Sequence, residues 1–180
     1  MPDPLILDAK KYAQRLFDMK GRVKINLGCG EKPLPDYINI DSRPLPDVDI
    51  VADIRRIPYE PGSLFEISSA HLIEHFREHQ SRVVILPYWR SLLQPDGQLR
   101  IICPNWAAML NQMNSGKMTL SLFKKITFGA QDYEGDDHFA MYTPETLENL
   151  LREVGFSQVE AIVLDRMNGG CPEMEIVAKG

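Results

Sequence analysis

Five short strand-like segments recur between residues 23 and 103, and turn or helical sequence separates them. They are Val23-Lys24-Ile25-Asn26-Leu27-Gly28, Tyr37-Ile38-Asn39-Ile40-Asp41, Asp49-Ile50-Val51-Ala52-Asp53, Leu64-Phe65-Glu66-Ile67-Ser68-Ser69 and Gln98-Leu99-Arg100-Ile101-Ile102-Cys103. Helical sequence fills about residues 79–93, where Pro87 is expected to bend the helix. Strands alternating with helices argue a mainly parallel sheet covered on both faces.

The end of the chain adds a second constraint. Thr143 suits a helix N-cap, Pro144 the first helical position and Glu145 the positive helix start. Leu147, Leu150, Leu151 and Val154 share one face of that helix, and Gly155 stops it. Two further strands follow, at about 157–164 and 173–179, joined by Asp165–Pro172 with Gly169-Gly170 inside. This link is too short for a parallel crossover, so the pair should be an antiparallel hairpin. At the other end, Leu5, Ile6, Ala9, Tyr12, Ala13, Leu16 and Phe17 have helical spacing before Gly21. The expected fold is therefore α/β: a Rossmann-like three-layer sandwich whose mainly parallel, seven-stranded sheet ends in an antiparallel hairpin.

The length of 180 residues suits one domain over 1–180, with an N-terminal helix within 1–21 and an insertion at 105–142. A net charge of -5 without a basic stripe argues against a nucleic-acid partner. Lys10-Lys11, Arg55-Arg56 and Lys124-Lys125 are isolated pairs and read as solvated surface. The start lacks a secretory pattern, and no apolar run reaches the roughly 18 residues of a membrane helix, so no membrane partner is expected. Cys29, Cys103 and Cys171 are odd in number and lack CxxC spacing. They read as reduced thiols in the cytoplasm, and no metal is predicted.

In open α/β sheets ligands bind beyond the carboxyl ends of the strands. Gly28-Cys29-Gly30 follows the first strand directly. Paired glycines let backbone N–H groups approach a ligand, although a tight structural turn has the same signature. Lys32-Pro33 and the absence of a third glycine depart from the dinucleotide fingerprint, which disfavours a nicotinamide-dependent oxidoreductase. Asp41 ends the second strand, where a carboxylate can accept from both ribose hydroxyls or cap a turn. Asp53 ends the third and can accept from an adenine amino group, with Ile54 packing on the ring; a turn cap is its alternative. His71 follows the fourth strand, in Ser69-Ala70-His71-Leu72-Ile73-Glu74-His75-Phe76. His71 and His75 are spaced by four, but the zincin order HExxH is not present.

Taken together, these segments resemble the class I S-adenosylmethionine-dependent methyltransferases, in the variety whose compact glycine loop runs straight into the second strand. The resemblance rests on residues 25–30, 37–41, 51–53 and 71–76, and on Leu92-Leu93-Gln94-Pro95-Asp96-Gly97-Gln98-Leu99 before the fifth strand. It spans residues 22–104 most clearly and 138–179 more loosely, and the terminal hairpin agrees with it. It implies S-adenosylmethionine as cofactor: Gly28, Cys29 and Gly30 along the methionine part, Asp41 on the ribose, Asp53 and Ile54 on the adenine, and His71 near the sulfonium. Asn26 replaces the family's frequent acidic residue, which implies a weaker or water-bridged contact to the cofactor's ammonium. Only Cys29 to Asp36 separate the first two strands, so the usual first helix should be missing or one turn long. A β-hairpin there would misplace Asp41.

Transfer of an activated methyl group requires alignment, and a proton-bearing oxygen or nitrogen acceptor also benefits from a base. The candidate bases are His71, His75, His79 and His138, plus nearby carboxylates. His138 stands out in Asp136-Asp137-His138-Phe139, ahead of the Thr143 cap; a loop histidine with a structural hydrogen bond is its alternative. The insertion carries Trp106, Met109, Met113, Met118, Phe123, Phe128 and Tyr133, which reads as core under a lid or as the wall of a small apolar pocket. The expected activity is O- or N-methylation of a small-molecule or sugar-type acceptor. The alternative is a non-catalytic domain that binds the cofactor or a nucleoside.

Overall fold

The structure, a computed structural model, describes residues 3–180; Met1 and Pro2 of the expected N-terminal segment lie outside the described residues. In chain order it contains β1 (Leu5–Ile6), α1 (Ala9–Asp18), β2 (Lys24–Leu27), β3 (Ile38–Asp41), β4 (Ile50–Val51), β5 (Leu64–Ala70), a 3-10 turn (Ile73–His75), α2 (Glu78–Gln80), a π-turn (Ser81–Ile85), α3 (Leu86–Leu92), β6 (Leu93–Pro104), α4 (Trp106–Asn114), α5 (Leu120–Phe128), α6 (Pro144–Val154), β7 (Gln158–Asn168) and β8 (Cys171–Lys179). The strands form one sheet in the order β1-β4-β3-β2-β5-β6-β8-β7. Pairing is parallel from β4 through β6, and β8 lies antiparallel between β6 and β7.

The sheet has eight strands where seven were expected. Leu5 and Ile6 pair antiparallel with Val51 and Ile50 at the edge. The Asp8 side chain accepts from Lys11 N–H, so the helix begins at Ala9 rather than at Leu5. Periodicity carried the expected helix across a boundary that its N-cap enforces. Pro87 sits in the first turn of α3, and the preceding turn widens to π geometry. The missing proline N–H is thus absorbed by local rewinding.

β2 and β3 are parallel, with Ile25 opposite Ile38 and Leu27 opposite Ile40, and no helix lies between them. Their link is short because Asn39 satisfies its backbone groups. Asn39 Oδ1 accepts from Leu34 N–H at 2.8 Å and from Asn26 Nδ2 at 3.0 Å, while its Nδ2 donates to the Leu34 carbonyl. One side-chain amide replaces hydrogen bonds that a helix would have supplied.

The two faces of the sheet differ sharply. Ile25, Leu27, Ile67, Leu99, Ile101, Met174, Ile176 and Ala178 are buried on one face, in a core shared with Leu86, Trp89 and Leu92 of α3 and Leu147, Leu150 and Leu151 of α6. Residues of the opposite parity are mostly polar: Lys24, Glu66 and Gln98 stand in register, and Arg100, Glu173 and Glu175 continue the pattern. A trough of about 380 Å³ on this face is lined by strand residues and Tyr37. The expected third layer is therefore incomplete. The links that would build it, residues 28–37 and 42–49, are too short to hold helices of useful length.

Candidate active site

A second hollow of about 380 Å³ opens at the carboxyl ends of β2, β3, β4 and β5. Gly28, Asp41, Asp53, Ile54 and His71 all line it, so the strand ends bring these expected residues together. Gly28 has φ +63, and a Cβ there would lie 2.8 Å from a Leu72 methyl. The left-handed backbone favours glycine here, and the loop packs closely against Leu72 of the segment after β5.

The carboxylates at the ends of β3 and β4 share one device. Asp41 is buried; its Oδ1 accepts from Arg43 N–H at 3.0 Å and Nε at 3.1 Å, and its Oδ2 from Gly30 N–H at 2.9 Å. Asp53 Oδ1 accepts from Arg55 N–H at 2.9 Å and Nε at 2.8 Å, and Oδ2 from the guanidinium at 2.5 Å. The Arg55 hydrogen bonds hold the Asp53 carboxyl below its ordinary range. Arg43 also lies over the Tyr133 ring at 4.6 Å, which ties the β3 end to the segment after α5. The same Asp-x-Arg pattern at 41–43 and 53–55 is visible in the sequence.

His71 adopts φ +50, unusual for a residue with a side chain, and its N–H donates to the Ile102 carbonyl. Its Nε2 is 2.7 Å from Glu173 Oε2, and its Nδ1 is 3.4 Å from Glu74 Oε1. Burial opposes its charged form, but the charges of Glu74 and Glu173, with the Glu173 hydrogen bond, prevail and raise its pKa. Burial would raise the Glu173 carboxyl, yet His71 and Arg166 carry it below the ordinary value. Glu74 is buried, and neither oxygen makes a hydrogen bond, so the His71 contact is an ion pair without hydrogen-bond geometry.

Four expected residues sit behind the cleft rather than in it. Asn26 is buried against Asn39 and does not line the hollow. Cys29 N–H donates to the Ile40 carbonyl and Gly30 N–H to Asp41, so the amides expected to face a carboxylate are engaged inside the protein. Burial pushes the Cys29 thiol up to about 12, with Asp41 and Asp49 adding to the effect. His138 packs behind the cleft: its Nδ1 is 2.7 Å from the Ile126 carbonyl, and its ring meets His75 edge-on at 4.6 Å. It lines a tight interior space with Glu74, Cys103 and Tyr142, and burial lowers its pKa. His138 N–H donates to the Phe128 carbonyl at the end of α5, and the residue is not among those that line the cleft. His75 does line the cleft, and the sequence weighed it chiefly as half of a metal pair.

No protein-family model matches the sequence, and no curated protein is similar to it. Solved structures do share the fold. An S-adenosylmethionine-dependent methyltransferase from Archaeoglobus fulgidus superposes with a TM-score of 0.59 at 15% identity, over 95% of this chain and 92% of that one. Phosphoethanolamine N-methyltransferase 2 of Haemonchus contortus, bound to S-adenosyl-L-methionine, gives 0.59 at 12% identity, over 93% of this chain and 52% of its own. Human N-acetylserotonin methyltransferase, also bound to S-adenosylmethionine, gives 0.54 at 13% identity, over 96% and 51%. The chain spans about half the length of the last two. Its fold is that of the class I S-adenosylmethionine-dependent methyltransferases.

Proposed function

We propose that this protein uses S-adenosylmethionine to methylate an oxygen or nitrogen of a small-molecule or sugar-type acceptor. The observation that carries this reading is the convergence of Gly28, Asp41, Asp53 and His71, from four separate strand ends, on one hollow. Its volume lies within the usual range of small-molecule sites, about 300–1,000 Å³. The donor set fits an adenosine: Asp41 accepts from ribose hydroxyls, Asp53 from the adenine amino group, and Ile54 and Leu72 supply apolar wall. When bound, the cofactor supplies a methyl group already activated on a sulfonium.

The chain's own residues then serve to align and to exclude water. A carboxylate offers about four acceptor positions, and Asp41 already accepts three hydrogen bonds. Holding two hydroxyls therefore requires the Arg43 side chain to release Asp41. His71 lies between Glu74 and Glu173, and Glu173 is shared with Arg166, so the charges at the cleft floor are balanced. The small acceptor rests on the net charge of -5 and the lack of a basic stripe. Among the described residues no helix is long and apolar enough to cross a membrane. A cytoplasmic location is part of the proposal and rests on three free cysteines.

Calorimetric titration tests the reading. S-adenosylmethionine should bind, NAD should not, and Asp41→Asn should weaken binding about 10- to 100-fold. Absence of S-adenosylmethionine binding by the wild-type protein would overturn it. Binding without release of S-adenosylhomocysteine from any hydroxyl, amine or carboxylate acceptor would favour the non-catalytic alternative.

A further inference from the structure

We propose that His75 is the general base of the transfer, and that the acceptor group is therefore one that must lose a proton: a hydroxyl or an amine rather than a carboxylate. This inference rests on the methyltransferase reading above. It begins from the four histidines, whose surroundings differ. His71 Nε2 is engaged by Glu173 and Asn168 and its Nδ1 faces Glu74, so both ring nitrogens have partners inside the protein. His138 lies outside the cleft, and His79 is exposed on α2.

His75 alone combines access with a free acceptor. It lines the cleft, and its Nδ1 is 3.1 Å from the Asp137 backbone carbonyl. A carbonyl only accepts, so Nδ1 carries the hydrogen and the Nε2 lone pair is left available. Nε2 meets no hydrogen-bond partner among the described residues. The ring is also held in place. The Glu74 carbonyl accepts from Phe139 N–H at 2.8 Å and Ala140 N–H at 3.2 Å, which pins the 3-10 turn to the chain opposite. The edge-on His138 ring, itself fixed to the Ile126 carbonyl, backs it from behind. The base is thus preorganised by backbone on two sides.

The step balances without a further reactant. The acceptor's proton passes to His75 Nε2 as the new bond to the methyl carbon forms. The carbon–sulfur bond breaks with its electron pair remaining on sulfur, which leaves the neutral thioether S-adenosylhomocysteine. The imidazolium then gives its proton to water. His75 shares the cleft with Asp41, Arg43, Asp53, Arg55, His71, Tyr133 and Glu134, and the His138 ring meets it edge-on. A carboxylate acceptor, already ionised at neutral pH, would gain nothing from this arrangement.

Imidazole nitrogen NMR on the wild-type protein, assigned by the signals lost in His75→Gln, gives a readout independent of turnover. His75 should be the Nδ1-protonated tautomer at neutral pH, and its Nε2 resonance should move when S-adenosylhomocysteine is added. His75→Gln should bind S-adenosylhomocysteine within about 2-fold of wild type. On any hydroxyl or amine compound that wild type methylates, it should lose about 10²- to 10⁴-fold in kcat. Failure of wild type to bind S-adenosylhomocysteine would sink the methyltransferase reading and the base with it. Intact binding with an Nε2-protonated His75, or unchanged turnover in His75→Gln, would sink the base alone.

Discussion

The two faces of the sheet obey different physics. On the face beneath α3 and α6, side chains such as Ile67, Leu99 and Met174 are sealed from water, and stability there comes from apolar area and tight packing. On the other face, Arg100 binds Glu175 at 2.6 Å, and Arg166 contacts both Glu175 and Glu173. Glu173 in turn meets His71, so this ionic chain runs to the floor of the cleft. The first face holds the fold together; the second sets the charge that a ligand in the cleft would meet.

The comparison is most easily broken at Trp89, fully buried with its indole N–H donating to the Ile54 carbonyl at 3.1 Å. Trp89→Ala should cost about 3–5 kcal/mol in denaturant unfolding, and it also removes the hydrogen bond that anchors Ile54. A cost below 1 kcal/mol would show that the sealed face does not carry the stability assigned to it. On the polar face, Glu175→Gln deprives Arg100 and Arg166 of their shared counter-charge; unfolding should report a loss of about 1–3 kcal/mol.

The pH dependence separates the faces further. His71 has a raised pKa, so its contribution is complete below the ordinary histidine value of about 6.5 and fades as pH rises through its folded-state value. Glu173 and Glu175 are lowered, so theirs is complete above the ordinary value of about 4.3 and fades as pH falls. Thermal melts should therefore be highest between about pH 5 and 6 and decline toward pH 8. His71→Asn should flatten that decline, whereas a core substitution such as Leu99→Val should keep its slope. The smallest effect belongs to Ile162, 52% exposed in the open trough: Ile162→Ser should change stability by no more than about 0.5 kcal/mol.

Much of this was legible in the chain. Each parallel strand was bracketed within a few residues, and Thr143, Pro144 and Gly155 marked α6 because capping chemistry is local. The open face was also written there: Gln98-Leu99-Arg100-Ile101 and Glu173-Met174-Glu175-Ile176 alternate, a signature of a sheet half exposed to polar surroundings. The strand–helix order outweighed that signal. The gathering of Asp41, Asp53 and His71 followed from topology. The pairing of His71 with Glu173 could not, because 102 residues separate them and only the register of β8 against β6 brings them together.

Both margins of the sheet are finished in ways that resist extension. One ends in β1, only two residues long, whereas β7 runs for eleven residues and shifts register between Ala161 and Val163 and again between Val163 and Arg166. Irregularities of this kind bend an outer strand away from the flat template that a stray peptide would need. The molecule can thus expose unpaired backbone on its longest outer strand without inviting fibril-like stacking.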